Sequence, residues 1–194
     1  NNKGWSNKFY IDTAGGDDIV TITKGEAQNG AEDKTHATII DGHHTTTEVK
    51  LGDGDDIFTN HTKAADIVYG NQGDDDISTG DGDDEAYGGK DNDTVDGGAG
   101  DDTLKGNKGD DELHGAAGDD DLRGDEGSDK ITGGEGDDLI HGGSEFIDKD
   151  DAADTLDGGV GNDEMYGNAG DDEMHGGDGA DEMYGGEDAD DMSG

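Results

Sequence analysis

The chain has no cysteine and no proline, and only 12 basic residues against 54 acidic ones in 194 positions. The lack of cysteine removes a disulfide scaffold and thiolate chemistry, while leaving the compartment open. Glycine without proline and without a three-residue period excludes a collagen helix. The scarcity of positive charge leaves a formal net charge of −42. Such a field repels phosphate backbones and argues against nucleic acid as a partner; cations are the natural one. Apolar residues make up 26% of the chain and aromatics 5%, which is ordinarily the mark of a disordered polypeptide. No apolar run approaches the ~20 residues that span a bilayer, and no signal peptide opens the chain. Beginning without Met and ending inside a repeat, it reads as an excised or processed segment.

What is abundant is glycine, with 39 residues, and it is periodic. From Gly70 the chain divides into nine-residue units, GNQGDDDIS, TGDGDDEAY, GGKDNDTVD, GGAGDDTLK and onward to GGEDADDMS at the end, with one break between Gly142 and Asp157. In every regular unit the sixth position is Asp and the eighth is apolar. Glycine, or asparagine at Asn71, Asn107 and Asn168, dominates the first, second and fourth positions; these residue types tolerate positive φ and close backbone approach. The pattern predicts that the first six residues turn, with carbonyls aimed inward, while the last three run extended. The eighth side chain then points in and its neighbours out. That inward column reads Ile77, Ala86, Val95, Leu104, Leu113, Leu122, Ile131, Ile140, Leu156, Met165, Met174, Met183 and Met192. No helical periodicity is present.

Two units make one coil of 18 residues with a strand on each side, and successive coils stack at the ~4.8 Å strand spacing. Asp75 then lies under Asp93 and Asp111, and Asp84 under Asp102 and Asp120. Carboxylates so placed repel one another and raise one another's pKa. A hard divalent cation between them removes the conflict, and an oxygen-only, flexible donor set suits calcium better than magnesium or zinc. The predicted metal-binding carboxylates are Asp75, Asp84, Asp93, Asp102, Asp111, Asp120, Asp129, Asp138, Asp163, Asp172, Asp181 and Asp190. Asp154 joins them in the break, and Asp56 in the fragment GDGDDIF.

These units resemble the RTX (repeats-in-toxin) nonapeptide GGxGxDxUx. The resemblance implies an all-β fold, a parallel β-roll or β-solenoid of 18-residue coils with calcium ions between stacked turns. It implies carbonyl ligands too, from positions two and four of one turn and positions one and three of the next. Carried over, one site uses Gly98, Gly100 and Asp102 against Gly115, Ala117 and Asp120. The other fourth-position carbonyls are those of Gly73, Gly82, Gly109, Gly118, Gly127, Gly136, Gly161, Gly170 and Gly179. Asp91, Asp188 and Thr79 depart from the motif's glycines. The expected load is about ten Ca2+ ions, each bound through oxygen. A core one side chain wide is too narrow to order the chain alone, so the metal decides whether it folds. Many RTX proteins leave Gram-negative bacteria unfolded by type I secretion and fold outside, which implies an extracellular or bacterial cell-surface location.

Two regions are expected. Residues 1–50 read as irregular, non-binding N-terminal coils or a cap, and 51–194 as the nonapeptide roll, irregular at 142–157. Ile40, Val49 and Phe58 are nine apart, with Val68 and Ile77 extending that column by one extra residue. The break has two readings: a shortened turn GGSEFID plus a degenerate unit KDDAADTLD, or a single unit carrying a seven-residue bulge. The first is preferred. Trp5, Phe9 and Tyr10 suggest a plug over the open end or a junction with an upstream domain. Asp148 to Asp154 reads equally as a separate calcium loop or a solvated bulge.

The absence of HExxH and GxSxG removes a metalloprotease and a lipase elbow, and GDGDDIF lacks the Gly and Glu of an EF-hand. No catalytic residues are assigned, and the chain is not read as an enzyme. The scattered histidines, among them His43, His44, His114, His141 and His175, read as solvated surface residues. Tyr166 and Tyr184, 18 apart, should stack on one outward face. The favoured function is a calcium-binding segment of a larger secreted or cell-surface protein, folding outside the cell into a rigid acidic rod. The alternatives are a building block of a calcium-bridged surface assembly, such as an S-layer, filament or adhesin stalk, and an accessory module of a secreted hydrolase or pore-forming toxin.

Overall fold

In the computed structural model of this chain, the described residues are 8–12, 19–23, 36–40, 46–60, 63–143 and 152–194, with side chains described from 48 onward. Trp5, His43, His44 and residues 148–151 lie outside them.

The described strands form two sheets. The first runs, in spatial order, β1 (Lys8–Asp12), β4 (Thr46–Asp53), β6 (Ala65–Gln72), β8 (Glu85–Lys90), β10 (Thr103–Lys108), β12 (Asp121–Glu126), β14 (Leu139–Gly143), β16 (Glu164–Ala169) and β18 (Glu182–Glu187). The second runs β3 (His36–Ile40), β2 (Ile19–Thr23), β5 (Ile57–Asn60), β7 (Asp76–Asp81), β9 (Thr94–Ala99), β11 (Glu112–Ala117), β13 (Lys130–Glu135), β15 (Thr155–Val160), β17 (Glu173–Asp178) and β19 (Asp191–Ser193). Every strand pairing is parallel, and successive strands of the chain alternate between the sheets from β4 onward. Leu104 pairs with Leu122 and Leu113 with Ile131, so one coil is 18 residues. This is the expected β-roll.

The strands are longer and the turns shorter than the repeat predicts. A strand such as β10 covers positions seven to nine and continues through positions one to three of the next unit, leaving only positions four to six as turn. The first three positions stay in the ladder because they pair in register, Asn107 with Asp125 and Lys108 with Glu126. The second position nevertheless takes a left-handed φ, as at Asn107 (78°), Ala116 (82°) and Asp125 (75°).

The eighth-position side chains of both sheets meet in a core one side chain deep per strand. Val49, Phe58, Val68, Ile77, Ala86, Val95, Leu104, Leu113, Leu122, Ile131, Ile140, Leu156, Met165 and Met174 are all buried, joined by Leu51. Met183 packs partly against this row, and Met192 is 48% exposed.

Two expectations are corrected by the register. Ile40 pairs with Thr23, while Val20 stands opposite both Ala37 and Phe58, so Ile40 is outside the row that holds Phe58. The break is a single unit carrying seven extra residues. Ile131 pairs with Leu156 and Ile140 with Met165, each 25 apart instead of 18. Had 142–157 held two units, Leu156 would share a sheet with Ile140; it lies in the other.

The outer face of the first sheet carries one continuous row at the ninth position: Lys50, Tyr69, Tyr87, Lys105, Arg123, His141, Tyr166 and Tyr184. Tyr69 stacks on Tyr87 at 5.0 Å, His141 on Tyr166 at 4.7 Å and Tyr166 on Tyr184 at 4.9 Å. Lys50 and Lys105 lie over the rings of Tyr69 and Tyr87. The predicted Tyr166–Tyr184 stack is therefore part of a longer ladder that ties coils together from outside.

Candidate metal centre

Among the described residues from Asp56 onward, the turns lie on two edges of the roll and each ends in a sixth-position Asp. One edge carries Asp56, Asp75, Asp93, Asp111, Asp129, Asp154, Asp172 and Asp190; the other carries Asp66, Asp84, Asp102, Asp120, Asp138, Asp163 and Asp181. The ladder along each edge is made by the aspartates themselves. The main-chain N–H of Asp75 donates to Asp93 Oδ1 at 2.9 Å, that of Asp93 to Asp111 Oδ1 at 2.7 Å, and that of Asp111 to Asp129 Oδ1 at 2.8 Å. On the opposite edge, Asp84 donates to Asp102 Oδ1 at 2.8 Å, Asp102 to Asp120 Oδ1 at 2.7 Å and Asp120 to Asp138 Oδ1 at 2.9 Å. The seven-residue insertion does not interrupt this: Asp129 donates to Asp154 Oδ1 at 2.8 Å and Asp138 to Asp163 Oδ1 at 2.9 Å.

One oxygen of each of these carboxylates thereby accepts a main-chain N–H. The Oδ2 atoms of Asp75, Asp93, Asp102, Asp111, Asp120, Asp138, Asp163 and Asp172 are buried and receive no hydrogen bond within the chain. These aspartates are at most 3% exposed. A buried carboxylate oxygen without a donor is costly. Burial accordingly pushes Asp75, Asp84, Asp102 and Asp138 up to about 7 and Asp93 up to about 8. Asp111 and Asp120 rise to about 6, and Asp163 and Asp172 also rise. The main-chain N–H on Oδ1 pulls each down, and neighbouring aspartates push it further up.

Main-chain oxygens complete the setting. A Cβ built on Gly106 would lie 2.2 Å from Asp111 Oδ2, and one on Gly133 would lie 2.2 Å from Asp138 Oδ2 and 2.7 Å from the Gly158 carbonyl. First-position glycines therefore leave open a cradle walled by a carboxylate oxygen and a carbonyl of the next coil. At the fourth position, Gly100 (φ 134°) has the Gly82 carbonyl 1.8 Å from its would-be Cβ. That carbonyl points up between coils, and only glycine allows it this approach. Among the described residues no three His, Cys, Asp or Glu side chains converge. The donor set is one carboxylate per turn plus carbonyls, all oxygen, which fits calcium and offers zinc neither nitrogen nor sulfur.

A family model for the RTX calcium-binding nonapeptide repeat, spanning four copies, matches residues 62–86, 87–122, 114–145, 150–183 and 166–194. The chain belongs to the RTX calcium-binding nonapeptide repeat family. No curated protein matches it. The RTX repeats are calcium-binding, and this roll carries them from residue 62 to 194.

The RTX roll brings the predicted residues together as neighbours across each interval. Gly100 donates its N–H to the Ala117 carbonyl at 2.8 Å, directly beside the Asp102–Asp120 contact. Gly82, Gly109, Gly118, Gly136 and Gly161 make the same fourth-position bond to the coil above. Gly73, Gly127 and Gly170 share the left-handed backbone of the turns, Gly98 has a positive φ within β9, and Gly179 faces the Gly161 carbonyl. Asp91 (φ 73°) and Asp188 (φ 80°) replace fourth-position glycines yet keep their left-handed backbone. Asp181 and Asp190 accept from Asp163 and Asp172 but are only half-buried.

Two features escaped the reading of the repeat. The fifth position forms its own outer ladder running the other way: Asn92 donates its N–H to Asp74 Oδ1, Asp110 to Asn92 Oδ1 and Asp119 to Asp101 Oδ1, at 2.9 to 3.0 Å. The recurrence of Asp or Asn at 74, 83, 92, 101, 110, 119, 137, 162 and 171 was the available signal. The second is Asn60, buried beside Asp66, which nothing in a nonapeptide pattern marks; Thr79, buried one coil on, was visible as a departure from a first-position glycine.

Proposed function

We propose that this chain is a calcium-responsive structural module of a larger secreted or cell-surface protein. It remains expanded at low cytosolic calcium and closes into a rigid, acidic rod at extracellular, millimolar calcium. The observation that carries the reading is the double file of buried Asp Oδ2 atoms with no donor inside the chain. The ligands of each site are the Oδ2 of one Asp with main-chain oxygens of its own turn and the next, from the sixth-position Asp column, Asp56 included, and the turn glycines. About ten such sites are filled, each an oxygen cage of the kind calcium accepts.

Bound calcium supplies the positive charge that lets adjacent carboxylates ionise together in a dry setting. The chain's own residues do the rest: the aspartate N–H ladder sets each Oδ1, the left-handed turns aim the carbonyls, and the narrow apolar row fixes the spacing. Among the described residues no helix is long and apolar enough to cross a membrane. The role is export, folding and stiffness rather than chemistry, in an extracellular setting. Far-UV circular dichroism in EGTA, then in 1 mM calcium, tests this. A disordered spectrum converting to β is expected, and an identical β spectrum in both would defeat it.

A further inference from the structure

Two coils on one edge depart from the open cradle. In regular turns the place of a first-position Cβ is bounded by Asp Oδ2 and the next coil's first-position carbonyl. The distances are 2.3 and 2.8 Å at Gly115 (Asp120, Gly133), and 2.4 and 2.6 Å at Gly158 (Asp163, Gly176). A side chain at this position has to extend into the gap between those two oxygens, where a calcium ion would be held. In turn 79–84 that place is taken. Thr79 is 0% exposed, and its hydroxyl donates to the Gly97 carbonyl at 2.8 Å, the equivalent of the Gly133 and Gly176 carbonyls in the open cradles. The single hydroxyl proton is used on that carbonyl, and Asp84 Oδ2 stays buried without a donor, so Thr79 closes this interval by filling it and by engaging the carbonyl. One coil earlier, Asn60, 1% exposed, donates its side-chain amide to Asp66 Oδ2, the oxygen that open cradles leave without a donor. The carboxylate ladder runs on through both intervals, Asp66 N–H to Asp84 Oδ1 at 2.6 Å and Asp84 N–H to Asp102 Oδ1 at 2.8 Å.

We propose that the intervals Asp66–Asp84 and Asp84–Asp102 hold no calcium, the first closed by the Asn60 amide on Asp66 Oδ2 and the second by the Thr79 side chain with its hydroxyl on the Gly97 carbonyl, so that the ion column of this edge begins between Asp102 and Asp120. This deepens the calcium-roll reading and rests on it. The Asn60 amide does for Asp66 Oδ2 what the cation does higher up, and Thr79 occupies the next interval with a side chain; neither depends on calcium. This edge of the coils between Asp66 and Asp102 is then metal-independent, and the first calcium-dependent interval of the edge stacks on it. The opposite edge has a related feature, since the first position of turn 51–56 is the fully buried Leu51.

The test is anomalous scattering from crystals of the calcium-loaded chain, together with calcium counted by equilibrium dialysis. The expected map has calcium between Asp102 and Asp120 and along the other edge, and none between Asp84 and Asp102. Thr79→Gly opens the cradle and should raise the count by one. Thr79→Val, nearly the same shape without the hydroxyl, should leave it unchanged. A wild-type peak between Asp84 and Asp102, a Thr79→Gly count that does not rise, or a Thr79→Val count that falls by one would overturn the proposal; in the last case threonine is itself a ligand. Should a variant fail to fold, the wild-type map decides alone. A map with no calcium on either edge would overturn the calcium-roll reading instead, so the two failures are distinct.

Discussion

Gly118→Ala should break the roll at a single rung. The backbone there has φ 140°, and the added methyl would sit 1.9 Å from the Gly100 carbonyl oxygen and 2.5 Å from its carbon. Atoms in real contact lie near ~3.5 Å, and the obstacle is backbone, which cannot swing aside. Alanine in this conformation costs about 1–2 kcal/mol. Relieving the clash forces the two coils apart at that edge, which stretches Gly100 N–H to Ala117 (2.8 Å) and Asp102 N–H to Asp120 Oδ1 (2.7 Å), each worth about 1 kcal/mol. The expected total is about 3–4 kcal/mol, before the weakened calcium site between those coils is counted. Urea unfolding of the full chain in 1 mM calcium measures it, and the calcium midpoint for β structure should rise in parallel. A variant with wild-type stability and midpoint would show that the coils are not held at this spacing, and the reasoning about the fourth position would fail.

Ala116→Gly should do the reverse: Ala116 is held at φ 82°, so glycine relieves about 1 kcal/mol, read as a higher urea midpoint in calcium. For pH, the folded-state pKa of the column aspartates is raised, to about 7 at Asp75, Asp102 and Asp138 and about 8 at Asp93. The folded chain therefore binds protons more tightly than the unfolded one, and this favours the metal-free roll in acid and is lost as pH rises from near 4 through about 8. In EGTA, β content should grow as pH falls through that window, and with calcium present the midpoint should move to higher calcium; a metal-free spectrum growing more β-like with rising pH would contradict both. Tyr166→Ala removes a ring stacked on both sides and should cost about 1–2 kcal/mol, with the bound calcium count unchanged by dialysis. Deleting 144–150 restores the 18-residue step between Ile131 and Leu156 and should preserve the calcium-induced β spectrum.

The repeat announces the coil, because a fixed Asp and a fixed apolar position leave little freedom once 18 residues make one turn. The core row from Ile77 to Met174 and the carboxylate files were therefore legible from residue types alone. The length of the strands was not: glycines at positions one and two look like turn residues, yet cross-coil pairing keeps them extended, with only the second bent to a left-handed φ. The seven-residue insertion was ambiguous because Asp154 and Leu156 fall in their columns under either spacing, and only which sheet holds Leu156 decides. Ile40 misled through a coincidental nine-residue interval, whereas pairing through β2 sets a different register. Asn60 carries no pattern of its own and Thr79 stands out only as a missing glycine; their meaning depends on which oxygens they reach across the gap between coils.

The most direct measurement is a single calcium titration of the chain in which bound metal and far-UV dichroism are recorded together. The account predicts that about ten ions enter as the β signal appears, cooperatively, since each coil that closes presents the oxygens of the next interval. A β signal that is complete before calcium is added, or one that appears with only one or two ions bound, would contradict it.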